Sequence, residues 1–265
     1  MTTWDAFLFG DELDMLECRL RELEQYPDVR HVLVEALLDH QGNPKPLHYL
    51  ENRSLFDRWN DRITHVIADL PAREQAESPW EREHVQRQHI WKGLEEADPD
   101  DWVLICDVDE IPSAGAIRAR HHDMVTLNMR LAMFAVDWVC PEPTRIAVAG
   151  RRSSLWTDLW WARDNGPRST FPLVEDAGWH FTWLGGPAAI ERKASQFCHL
   201  ELREMILVAN RRGDLYEHGF TWHGPQPYAP YPPTEPVFAM VPAAVDETWP
   251  AYIRQRLCPP EWFRP

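Results

Sequence analysis

DWVLICDVDEIP, Asp101 to Pro112, decides how the chain is read. Trp102 to Cys106 is an uninterrupted apolar run of strand length. Three carboxylates, Asp107, Asp109 and Glu110, follow at once, with Pro112 marking the exit from the strand. Working outward, WDAFLF (4–9), VRHVLVEAL (29–37) and RITHVIADL (62–70) read as further buried strands. Between the first two, Gly10 is a breaker and Asp11 a helix cap. Leu13, Leu16, Leu20 and Leu23 then form one stripe of a helix reaching residue 25. Pro79 suits the first turn of a helix running to about residue 97. Strand–helix alternation of this kind predicts an α/β fold with a mostly parallel central sheet flanked by helices.

The later chain is less regular. Residues 124–139 read as one or two long strands, 145–150 as another, and 188–197 as the start of a helix. From Pro225 the chain is proline-dense, which predicts an extended segment over the surface. A last helix is expected within 244–257. No repeat or linker divides the chain, so residues 1–265 are expected to form a single domain with a proline-rich segment at about 225–265.

Composition narrows the function. The chain has 265 residues and a formal net charge of -15, which repels phosphate backbones and makes nucleic acid an unlikely partner. Arg151, Arg152, Arg163 and Arg168, and then Arg203, Arg211 and Arg212, form loose basic stretches suited to a solvated face or phosphate contacts. Cys18, Cys106, Cys140, Cys198 and Cys258 show neither CxxC pairing nor metal-knuckle spacing, which points to a reducing compartment. The first residues lack a basic signal-peptide region, and no window carries the roughly 18 apolar residues of a membrane helix. A cytoplasmic protein without a membrane segment is expected. The 14 tryptophans fit core packing first and sugar stacking second.

The acidic cluster admits two readings. Ligands of open α/β sheets bind beyond the carboxyl ends of the strands, where Asp107 and Asp109 fall. Carboxylates two apart on extended chain point to opposite faces, but a turn starting at Asp107 can make them converge on Mg²⁺ or Mn²⁺ carrying a diphosphate. In the plainer reading Asp107 caps a turn and Glu110 is solvated.

Five ordered blocks bear on that choice: FGDELDMLECRLREL (9–23), VEALLDHQGNPKPLHY (34–49), SPWEREHVQRQHIWKGL (78–94), DVDEIP (107–112) and AGWHFTWLGG (177–186). Together they resemble glycosyltransferase family 17, which includes enzymes adding bisecting N-acetylglucosamine to N-glycans. The resemblance runs from about residue 4 to about residue 205. It implies a GT-A-like fold, an inverting transfer, and a nucleotide-sugar donor of the UDP type. It implies DVDEIP as the DxD element, with Asp109 the stronger metal ligand and Asp107 on the metal or the donor ribose. Gly10 stands where the family commonly has Asn. The membrane anchor of animal members is absent, which fits a bacterial or viral type with a glycan or other hydroxyl acceptor.

The remaining candidates follow from chemistry and resemblance together. Arg82 or Arg87 can reach the donor diphosphate with His84 nearby; the plainer role of Arg87 is an i,i+4 pair with Glu83. Inverting transfer needs a carboxylate base, for which Asp176 and Glu175 are candidates. His180 and His199 are candidate third metal ligands, against a core role for His180. Glu12 is a candidate nucleotide contact and Glu35 a weaker one. Trp179 and Trp183 can stack on sugar rings or pack in the core. The expected activity is metal-dependent glycosyl transfer; the alternatives are a hydrolase or nucleotidyltransferase on the same acidic edge, a non-catalytic carbohydrate-binding protein, and a viral enzyme acting on a modified DNA base.

Overall fold

The structure is a computed structural model and describes residues 1–163, 168–198, 200–213, 215, 221–222 and 238–264. The proline-dense stretch centred on 225–237 lies outside the described residues. A seven-stranded sheet carries the fold. Its strands are β1 (Thr3–Leu8), β2 (Val29–Ala36), β3 (Ile63–Ala68), β4 (Trp102–Asp107), β6 (Met124–Leu127), β9 (Val148–Arg151) and β10 (Leu173–Val174), in the spatial order β10-β6-β9-β4-β1-β2-β3. All pairs are parallel except the two made by β9, which runs antiparallel between β4 and β6. The mostly parallel α/β sheet expected from the alternation is therefore present.

Central strands are apolar on both faces because helices cover both. Phe7, Leu33, Leu104 and Cys106 face helix α1 (Leu13–Leu23) through Leu16 and Leu20. Ala6, Val32, Val34, Val103 and Ile105 face the other way, toward Ile90 and Leu94. On that side α2 (Pro79–Gln88) packs against β1 and β2. The helix expected to reach residue 97 stops at Gln88, and a short turn of helix, Ile90–Gly93, follows. A Cβ on Gly93 would stand 2.2 Å from a Val32 methyl, so the turn packs on the sheet only with glycine there.

A smaller sheet is built from β5 (Glu110–Pro112), β7 (Arg130–Met133), β8 (Trp138–Val139) and β11 (Gly178–Thr182), with Val241–Pro242 at its far edge. β11 runs antiparallel to β5, pairing His180 with Glu110 and Gly178 with Pro112, and parallel to β7. Residues 124–139 thus split into three short strands. The chain leaves the large sheet after Leu127, joins the small one at Arg130, and turns at Phe134, whose φ is 69°. Gly178 has φ 141°, and a Cβ there would stand 2.1 Å from the Ile111 carbonyl. Helices α3 (Gly186–Gln196) and α4 (Leu200–Arg211) pack together beside this sheet. The helix expected within 244–257 is the single turn Ala251–Arg254. No described helix is long and apolar enough to cross a membrane.

One buried ion pair sits between the sheet and α1. Asp5, on the Phe7 face of β1, takes Arg19 of α1 on both carboxylate oxygens, with Nε donating at 2.8 Å, and His31 Nδ1 at 2.9 Å. All three side chains are fully buried. Arg19 Nη1 also donates to the carbonyls of Asp107, Val108 and Glu110 at 3.0, 3.2 and 2.6 Å. Burial alone would raise the Asp5 carboxyl; Arg19 and His31 outweigh it and hold the carboxyl down at about 2. Burial lowers His31 below its ordinary 6.5.

Removing Arg19 strands a buried charge, so Arg19→Met should destabilise the fold by about 3–5 kcal/mol, read by urea unfolding. Acid acts on the same cluster. Below the ordinary His31 value of 6.5 the unfolded chain takes up a proton that the native histidine refuses, and between 3.8 and about 2 it takes one that native Asp5 refuses. In both windows the unfolded state binds more protons, so stability falls as pH falls. The urea midpoint should drop between about pH 7 and about pH 4, and a flat profile would refute this account.

Candidate active site at the end of the fourth strand

β4 ends at Asp107, and two residues later the chain begins β5. The Arg19 clamp fixes the backbone of this elbow. The side chains fan out from it into separate sets of cations. Asp107 Oδ1 accepts from Arg87 at 3.0 Å and Oδ2 from Arg163 at 2.9 Å. Burial would raise this carboxyl, but Arg163 and then Arg87 prevail and hold it well below the usual carboxylate range. Arg87 is shared with Glu83 at 2.8 Å, and Arg163 with Glu110 at 2.8 Å and the Ile105 carbonyl at 3.0 Å. Glu110 is only 1% exposed and also accepts from the Asp107 backbone N–H at 2.7 Å. The solvated Glu110 of the plainer reading is corrected here: it is a buried strut whose charge Arg163 offsets.

Asp109 turns the other way. Its Oδ2 accepts from Lys193 of α3 at 2.9 Å, and its Oδ1 lies 3.7 Å from His180 Nε2 on β11. Its carbonyl accepts from the Phe181 N–H at 2.8 Å, which ties the elbow to β11. Although burial opposes its charge, Asp109 and Glu12 hold Lys193 above the ordinary lysine range. Glu12, expected as a nucleotide contact, lies beyond β1 at the same edge. Its Oε2 accepts the N–H groups of Gly10 and Asp11 at 3.1 and 3.0 Å. Burial, with Asp11 and Asp109 adding to it against Lys193, raises the Glu12 carboxyl. Asp11 does not cap α1; it pairs with Arg192 at 2.6 Å, one helix position before Lys193.

Asp107, Asp109 and His180 thus do not close into one triad of ligand atoms. Both Asp107 oxygens are committed to arginines, so the pairing of Asp107 with Asp109 as joint metal ligands is not the arrangement seen. Asp109 and His180 do lie side by side, 3.7 Å apart. An ammonium already sits on that carboxylate, and a carboxylate oxygen beside an imidazole nitrogen is a donor set that suits Mn²⁺ or, less fully, Mg²⁺. His199 lies outside the described residues.

The other candidates sort by geometry. Arg82 is buried, donates from Nε to the His40 carbonyl at 2.7 Å, and keeps Nη1 without a hydrogen-bond partner among the described residues. His84 is turned away: it pairs with Asp158 at 3.2 Å and stacks on Trp160. One residue along a helix rotates a side chain by about 100°, so Glu83 and Arg87 face the elbow while His84 cannot. Glu35 receives the Tyr49 N–H at 2.9 Å and His65 at 3.1 Å, a structural role.

Glu175 and Asp176 are exposed and lie in the turn before β11, five and four residues from His180 and beyond the Gly178–Pro112 end of the β5–β11 ladder. Glu175 accepts from Asn128; Asp176 faces Arg130 at 3.5 Å. Asp176, Arg130, Trp179, Ser113 and Thr248 line a pocket of about 280 Å³. Trp179 stacks on Phe181 and Trp183 meets Phe197 edge-on, both nearly buried, so packing is their main role. Arg163 and Lys193 were not singled out as site residues, for they are distant in sequence and sit in ordinary helical composition. The only available signal was an excess of buried acid needing counter-charge.

Solved structures resemble the chain only distantly. S. aureus TarS, residues 1–349, has 9% identity over 83% of this chain and 73% of that one, with a TM-score of 0.38. The 2-C-methyl-D-erythritol 4-phosphate cytidylyltransferase of Francisella tularensis has 13% identity over 74% of this chain and 100% of that one, with a TM-score of 0.41. The glycosyltransferase GlyE of Streptococcus pneumoniae has 11% identity over 58% and 35%, with a TM-score of 0.28. No protein with a curated description matches the chain. The model of glycosyltransferase family 17 matches residues 2–191, from β1 into α3 and including every block that suggested the resemblance. The chain therefore belongs to glycosyltransferase family 17, an α/β glycosyltransferase of GT-A-like fold.

Proposed function

We propose that the chain transfers a glycosyl group, N-acetylglucosamine in the first instance, from a nucleotide-diphosphate sugar of the UDP type to a glycan or other hydroxyl acceptor, with inversion and with Mn²⁺ or Mg²⁺. The observation that carries this reading is the Asp109 carboxylate at the carboxyl end of the central parallel strands, faced by Lys193 at 2.9 Å and His180 at 3.7 Å. That edge is where α/β sheets bind ligands. Asp109 and His180 would hold the ion, which as a Lewis acid neutralises charge on the departing diphosphate.

The protein's own groups do the rest. Lys193 is a fixed cation beside the same carboxylate and aims positive charge at phosphate oxygens. The unpartnered Arg82 nitrogen is a buried donor suited to an anionic oxygen. Asp107, held ionised by Arg87 and Arg163, accepts a hydrogen bond from a donor hydroxyl. In this reading Asp176 belongs to acceptor binding in the Arg130–Trp179 pocket, and Glu175 stands beside it on Asn128. The acceptor hydroxyl loses its proton to Glu12, the carboxylate beyond β1 that lies at the same edge as Asp109 and Lys193.

Nucleotide-sugar binding should raise the melting temperature of the wild-type chain in the presence of Mn²⁺, most for a UDP sugar. Asp109→Asn should lose the Mn²⁺-dependent part of that rise and about 100- to 1,000-fold in transfer rate. An unchanged variant, or no response to any nucleotide sugar, refutes the donor site. Two further variants separate base from acceptor binding. Glu12→Gln should lower kcat with donor affinity kept, whereas Asp176→Asn should raise the acceptor KM with kcat nearly unchanged. The reverse pattern would return the base to Asp176.

A further inference from the structure

Away from the Asp109 pair, the chain gathers three ligand types that the transfer reaction does not use. His40, Glu83 and Cys198 each place one ligand atom within 4.8 Å of the others, the one such grouping of three among the described residues. They come from three segments: the turn after β2, the middle of α2, and the residues just beyond α3. The turn is folded on itself by Asp39, which accepts the Asn43 N–H at 2.8 Å. It is fastened to α2 by Arg82 donating to the His40 carbonyl at 2.7 Å, and to the end of α3 by Gln41 donating to the Phe197 carbonyl at 2.6 Å. The three ligands are therefore held in place without an ion.

The hydrogen bonds fix the chemical state of each ligand. Gln86 Nε2 donates to the carbonyls of Val34 and Phe9, so its Oε1 is the acceptor in the 2.8 Å contact with His40 Nε2. His40 Nε2 thus carries the proton, and Nδ1 bears the lone pair. A second nitrogen that donates to a neighbouring oxygen is the usual outer contact of a metal-bound histidine. Burial would raise Glu83, but Arg87 outweighs it and keeps the carboxylate charged; Arg87 donates to Oε1 at 2.8 Å. Oε2 accepts from the Cys198 thiol at 2.9 Å. Burial and Glu83 hold that thiol protonated until a cation replaces its hydrogen.

We propose that His40, Glu83 and Cys198 form a zinc site, separate from the Asp109 edge, which cross-links the β2 turn, α2 and the end of α3. Thiolate, imidazole and carboxylate together select Zn²⁺ over Mg²⁺ or Mn²⁺, and three protein ligands leave the fourth tetrahedral position to water. Binding is balanced as thiol plus Zn²⁺ giving thiolate–zinc and one proton released to solvent. The site adjoins the donor edge through Glu83, Arg87 and Asp107, and through Arg82 on the His40 carbonyl, so occupancy tunes how firmly Arg87 holds Asp107.

The test uses the full chain freed of metal by a chelator and then titrated with Zn²⁺ or Co²⁺. One Zn²⁺ per chain should bind and raise the melting temperature, and Co²⁺ should give a thiolate charge-transfer band in the near ultraviolet. Cys198→Ser and His40→Gln should each lose the band and weaken Zn²⁺ by more than the roughly 10- to 100-fold that outer partners cost. Asp109→Asn should keep both, which separates this site from the donor site. Absence of a thiolate band in the wild-type chain overturns the proposal with no variant needed. Zn²⁺ binding that survives both ligand variants, or disappears in Asp109→Asn, overturns it as well.

Discussion

The buried Asp5–Arg19 pair is the constraint on which the site rests. Asp5 fills both its oxygens with Arg19, and Arg19 spends its remaining donors on the carbonyls of the elbow between β4 and β5. Buried ion pairs contribute little to net stability, because desolvation offsets most of the attraction. Their value here is positional. The guanidinium is a rigid fork that reads three carbonyl positions at once, so the elbow has one geometry.

That geometry explains how so much acid sits at the end of a buried strand. Each carboxylate is met by a cation: Asp107 has Arg87 and Arg163, Glu110 shares Arg163, and Asp109 has Lys193. The positive groups come from α2, from the stretch after β9, and from α3, so the three flanking segments converge on one tip. Arg87, Arg163 and Lys193 thus offset the three elbow carboxylates where a diphosphate would arrive, although the chain as a whole carries a formal charge of -15. Net charge therefore says little about what this edge binds, since local compensation is decided by a few buried pairs.

The sheet was legible because local patterns dictate it. Apolar runs, Gly10 as a breaker and Pro79 at a helix start predict the first four strands, the first helix and the start of the second within a few residues, and Asp107 and Asp109 fall at the strand end foreseen. The short strands of the small sheet were not legible. Strands of two to four residues carry no period, and their pairing depends on contacts such as Gly178 beneath Ile111. Nor could spacing show that Asp107 and Asp109 turn to different cations. That outcome depends on Arg163 and Lys193, which lie 56 and 84 positions from their acidic partners.

The elbow also fixes the permissible length of the chain at this point. β4 belongs to one sheet and β5 to the other, with only Val108 and Asp109 between them. An inserted or deleted residue could not be absorbed as loop slack. It would appear as a one-place slip of β5 against β11, which exchanges inward and outward side chains along the strand. Asp109 would then turn its back on His180. Variation among relatives of this chain is accordingly expected as substitutions within the elbow, with insertions and deletions confined to segments further from it.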